Sequence, residues 1–145
     1  MQVAEETPST SYTTVPGYDA AMEVLALGCL AGGADAETRA LATRMHRAIG
    51  KYAKLFPIAE PRRDVWDGVM SAISGRRRRG VAALTRAAER AGDSQLADQE
   101  AVALRWLARL LSGRRRRAIA RRAAEIFTRL GRKFEAREAK EQSET

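Results

Sequence analysis

The sequence predicts an all-α fold, antiparallel helix pairs stacked as a short α-solenoid. Three observations carry this. Apolar residues recur at three- and four-residue spacing along most of the chain, whereas Val, Ile and Thr never alternate and aromatics are only 6% of residues. Gly-Gly, Ser-Gly and single Gly steps interrupt the helical period at short intervals. The chain also repeats itself: Ser-Gly-Arg-Arg-Arg-Arg at residues 74–79 returns at residues 112–117, 38 positions on. The same offset lays Val69 on Leu107 and Ile73 on Leu111, and one added residue then lays Leu84 on Ala123, Ala88 on Phe127 and Gly92 on Gly131. A period of this size in helix–turn–helix units is the mark of a helical-repeat protein.

Element by element, residues 1–17 are rich in Thr, Ser, Pro and Glu without an apolar period and read as a disordered leader. Residues 18–139 form the helical-repeat domain. The first helix carries Met22, Leu25, Cys29 and Leu30 and stops at Gly32-Gly33. Asp35 caps the second, whose stripe is Leu41, Met45, Ile49, Tyr52 and Phe56. Pro57 and Pro61 break it, because proline lacks a donor and holds its predecessor out of the helical region. The third helix starts near residues 62–64 with Trp66, Val69, Met70 and Ile73, and Gly75 ends it. The fourth carries Val81, Leu84, Ala88 and Ala91 up to Gly92. Ser94 or Asp98 opens the fifth, with Ala103, Leu107, Leu110 and Leu111, which Ser112-Gly113 ends. The sixth carries Ile119, Ala123, Ile126, Phe127 and Leu130 up to Gly131. A short charged helix covers about residues 133–140, and residues 140–145 fray as a tail. Many of the apolar residues are alanine, so the core is thin and its helices lie close together.

The net charge is +8, almost all from arginine, since the only lysines are Lys51, Lys54, Lys133 and Lys140. Arginine offers forked donors to phosphate or carboxylate. Cys29 stands alone, which excludes an intramolecular disulfide and any multi-cysteine zinc site. His46 is the only histidine and lacks partners for a metal site or a triad. No P-loop, dinucleotide-binding or nucleophile-elbow motif is present. The chain therefore reads as no enzyme, with no cofactor and no metal. No run is apolar enough to span a membrane and no signal-peptide pattern opens the chain, which leaves a cytoplasmic protein as the expectation. Trp66 and Trp106 read as packing residues. Arg86 with Glu89, and Glu125 with Arg122 and Arg129, read as surface pairs at helical spacing.

From Tyr52 onward the chain resembles a known family. Phe56-Pro57-Ile58-Ala59-Glu60-Pro61-Arg62, then Ser74-Gly75-Arg76, then Ala87-Ala88-Glu89-Arg90-Ala91-Gly92 are similar to the C-terminal tetratricopeptide-like region of large bacterial signalling proteins. Those proteins carry an ATPase module, often behind an adenylate or guanylate cyclase domain. Gly75, Gly80, Leu84 and Ala87 fit the tetratricopeptide turn and second helix. Trp66 and Val69 are out of register, and Arg122 and Glu125 stand where the pattern has an aromatic and an alanine. The resemblance implies a protein-interaction or regulatory module; the cyclase and ATPase parts have no counterpart here.

The Ser-Gly of each hexamer ends a helix, but the four arginines are not needed for that. Cations opening a helix oppose its dipole. The partner-binding candidates are therefore Arg76, Arg77, Arg78 and Arg79 with Arg114, Arg115, Arg116 and Arg117, a shared edge that Arg62 and Arg63 extend. The expected partner is an acidic protein surface. The alternative is sequence-blind binding of nucleic acid by the same edge. An uncapped solenoid end would also allow self-association.

Overall fold

A computed structural model describes residues 15–145 and is all-helical over them. Seven α-helices follow in order: α1 (Val15–Leu30), α2 (Ala36–Leu55), α3 (Glu60–Ile73), α4 (Arg77–Asp93), α5 (Ala97–Leu110), α6 (Gly113–Arg129) and α7 (Lys133–Glu144). A 3-10 turn, Pro57–Ala59, joins α2 to α3. Consecutive helices pack on one another throughout. Connections of two to five residues make such neighbours antiparallel.

Two boundaries differ from the sequence reading. Residues 1–14 of the expected leader lie outside the described residues, but residues 15–17 form the first turn of α1. At the other end α7 runs on through Glu144, past the point where the sequence predicts fraying. Ala139 and Gln142, three apart on one face, are buried, and that anchors the last turns.

Most predicted stops hold. The Asp35 side chain accepts from the Thr38 backbone N–H at 2.8 Å. Gly131 takes φ +72 after α6. Gly92 does not end α4, which continues to Asp93, and the left-handed position falls on Gln95 at φ 57. Gly92 serves packing instead: a Cβ there would lie 3.3 Å from the Glu100 carboxylate.

α5 is the central helix. Every residue from 101 to 108 is buried, as expected of a helix covered on all sides. Trp106 of α5 meets Trp66 of α3 edge to face, ring centroids 5.3 Å apart, and both are only 1% exposed. Their sequence separation exceeds the repeat offset, yet α3 and α5 are brought together by this pair. α3 and α4 cross even more closely. A Cβ on Gly80 would stand 2.7 Å from the Gly68 carbonyl oxygen, and one on Gly68 would stand 2.8 Å from Leu84 Cγ.

α1 is fastened over α3 and α5 by polar contacts that the apolar period does not report. Met22 and Leu25 are buried as predicted, whereas Leu30 is exposed. Asp19 accepts from the Trp66 indole N–H at 2.8 Å and pairs with Arg62 at 3.0 Å. Glu23 pairs with Arg105 of α5 at 2.8 Å.

Burial raises the Asp19 carboxyl above its ordinary 3.8, against the lowering pull of Arg62 and the Trp66 N–H, with Glu23 and Asp98 adding small upward pushes. The folded chain thus holds this proton more tightly than the unfolded one. The stability so contributed is fully present below pH 3.8 and lost as pH rises through the raised value. Asp19→Asn keeps the acceptor for Trp66 and removes the titration. Its urea midpoint should therefore fall less than the parent's as pH rises from below 3.8 toward neutrality. Parallel profiles for the two proteins would contradict this.

Candidate partner-binding surface

The repeated hexamer makes two different turns. In the first, Ser74 closes α3 and Gly75 takes φ +82; the Gly75 N–H donates to Ala72 O and the Arg76 N–H to Ser71 O. Arg76 then precedes α4. In the second, Leu111 and Ser112 are both extended, and Gly113, at φ +60, is already the first residue of α6. The first link has three residues and the second only two. Hence all four arginines of the second hexamer lie inside α6, two residues further into the helix than their counterparts.

Neither run forms a single patch. Successive residues of a helix point about 100° apart, so four in a row fan around its axis. Arg76 and Arg79 turn toward α3. Arg77 turns the other way and its Nη2 donates to the Leu110 carbonyl, one of the last of α5. This contact places the first corner directly beside the second. A guanidinium there also offsets the negative end of the α5 dipole. Arg116 donates to the Thr145 hydroxyl at 3.1 Å, while Arg114, Arg115 and Arg117 are exposed.

Arg62 and Arg63 do not extend this edge. They begin α3, roughly 16 Å of helix rise from its far end at the Ser-Gly corner. Arg62 is taken up by Asp19 and, at 3.8 Å, Asp98; Arg63 by Asp64 and Asp67. The surface pairs also differ from the helical-spacing reading. Arg122 reaches across to Glu100 of α5 at 2.6 Å rather than to Glu125, and Arg86 makes no ion pair with Glu89. Tertiary partners outcompete exposed pairs within one helix, which are worth only tenths of a kcal/mol.

The allocation of acids explains why the corners stay bare. Asp19, Glu23, Asp64, Asp98, Glu100 and Glu138 all hold arginines inside or between helices. Among the described residues, no carboxylate pairs with any of the eight hexamer arginines.

A groove of about 480 Å³ opens between α2, α3 and α4. On its α4 side stand Arg76, Arg79, Arg86 and Arg90. Their spacing puts them on one helical face, a regularity that the contiguous arginine runs mask in the sequence. Opposite, His46 of α2 and Asp67 of α3 are 2.6 Å apart. Among the described residues, no three His, Cys, Asp or Glu side chains are grouped to hold a metal. No helix of the described residues is long and apolar enough to cross a membrane.

No protein-family model matches the chain, nor does any curated protein or solved structure.

Proposed function

We propose that this protein is a non-enzymatic interaction or regulatory module of the tetratricopeptide-like kind, whose arginine-rich corners dock an acidic protein partner. Support for stacked helix pairs comes from consecutive packing and from the contact of α3 with α5. The observation that carries the docking reading is the contact of Arg77 with the Leu110 carbonyl, with no carboxylate of the described residues on either cluster. The cytoplasmic location and a self-association mode belong to the same proposal.

The test replaces Arg77, Arg78, Arg115 and Arg117 by Gln, all at the corners. The expected outcome is unchanged helicity with loss of a defined, purified partner in pull-down. Retention of a short DNA duplex that weakens steeply with salt, lost in the same variant, would move the reading to nucleic acid. If the variant binds every partner as the parent does, the corners carry incidental charge.

A further inference from the structure

We propose that the groove between α2, α3 and α4 seats an amphipathic acidic helix of a partner protein, its acidic flank lying along α4. This narrows the acidic-partner reading above and rests on it. The groove uses a different face of α3 from the one that Arg62 and Trp66 present to α1.

Of the four arginines on the α4 side, Arg90 is held by Asp64 at 3.1 Å. Arg76, Arg79 and Arg86 are exposed and make no side-chain hydrogen bond or ion pair with any described residue. Exposed guanidinium forks beside a concave floor are ready donors to carboxylates. Arg79 and Arg86 are seven residues apart, two turns and about 10 Å of rise. A guest helix returns a side chain to the same flank at the same interval, so acids seven apart face these two together. An extended strand repeats a side every ~7 Å and falls out of step.

The other side of the groove decides between protein and nucleic acid. Asp67 stands there, half exposed, with its neighbour His46. A polyanion in the groove would meet Arg79 and Arg86 on one flank and a carboxylate on the other. A helix can carry acids on one flank and donors or bases on its opposite flank, which matches both sides. Met70 and Ala83, also in the lining, give its intervening face a small apolar bed.

The probe is a synthetic helical peptide with Glu repeating every seven residues on one flank and Lys on the opposite flank. It is compared with a scrambled peptide of the same composition, a version with the two charges exchanged, and a short mixed-sequence DNA duplex. The full chain should bind the patterned peptide at least about tenfold more tightly than the scrambled one, and Arg79→Glu with Arg86→Glu should cost about the same factor. The charge-exchanged peptide should bind that double variant in preference to the parent. Arg121→Glu with Arg129→Glu, exposed on α6 outside both the groove and the corners, should leave the affinity within about twofold. Circular dichroism confirms that both double variants keep the parent's helicity. The groove assignment is overturned if the scrambled peptide or the duplex binds as well as the patterned one. It is also overturned if the Gln variant of Arg77, Arg78, Arg115 and Arg117 loses the peptide and the groove variant does not, an outcome that leaves the edge reading standing. No binding of the patterned peptide overturns the groove while the pull-down above judges the edge.

Discussion

Gly80→Ala should destabilise the protein by about 2 kcal/mol, although the same substitution in an open helix is stabilising. Alanine exceeds glycine in helix propensity by about 1 kcal/mol. At Gly80 that gain meets a larger opposing effect. The added methyl would lie 2.7 Å from the Gly68 carbonyl oxygen and 3.1 Å from the backbone nitrogen of Ala72. Those are backbone atoms of α3 and cannot rotate away, so α3 and α4 must separate along their whole contact. Overpacking of this kind costs about 1–3 kcal/mol, occasionally more. Gly50 supplies the control: it lies inside α2, and a Cβ there meets nothing within 4 Å. Gly50→Ala should therefore stabilise by up to about 1 kcal/mol. Thermal melts of the two variants should move in opposite directions, by about 4 °C per kcal/mol for a chain of this size. Melts that rise together would mean that α3 and α4 do not cross at Gly68 and Gly80.

That crossing also marks how far the sequence could be read. Helix order, the Asp35 cap and the left-handed stops at Gly75 and Gly131 are local, set by propensity and backbone freedom within a few residues, and they are legible. The 38-residue recurrence marks two links between helices, but identical letters do not make identical turns. Gly75 sits in a three-residue link after α3, whereas Gly113 is already the first residue of α6, a difference that the shared letters do not carry. Gly92 misleads for a related reason: a glycine can spare room for a neighbour such as Glu100 as readily as it can end a helix. The candidate site was legible as charge and illegible as geometry. Four arginines in a row read as one patch, whereas helical rotation divides them among α3, α5 and solvent. Arg62 and Arg63 look like further basic edge, but the tertiary approach of Asp19 and Asp98 takes up Arg62, and Asp64 and Asp67 of the same helix take up Arg63.

Arg105 is the sharpest case of a residue invisible to spacing, and it yields the second large effect. It interrupts an apolar run in α5, is 5% exposed, and its guanidinium meets Glu23 of α1 at 2.8 Å and Glu138 of α7 at 3.1 Å. Those partners are 82 and 33 residues away. Breaking a buried ion pair costs about 3–5 kcal/mol, because the remaining charge is desolvated and unpaired. Here the carboxylates keep some water, at 38% and 26% exposure, and Glu138 retains Arg109, so Arg105→Met should cost less, about 2–3 kcal/mol. Most of that loss belongs to stranded Glu23. Adding Glu23→Leu to the Met variant should therefore recover at least half of it, since well-packed apolar groups replace buried ion pairs at little cost. The chain's only two tryptophans lie together beneath α1, so their emission reports the same event: a red shift in Arg105→Met, reversed in the double variant. An unshifted urea midpoint and spectrum for Arg105→Met would mean that apolar packing alone holds α1 against α5. Recovery without a spectral return would mean that the loss arises at α7.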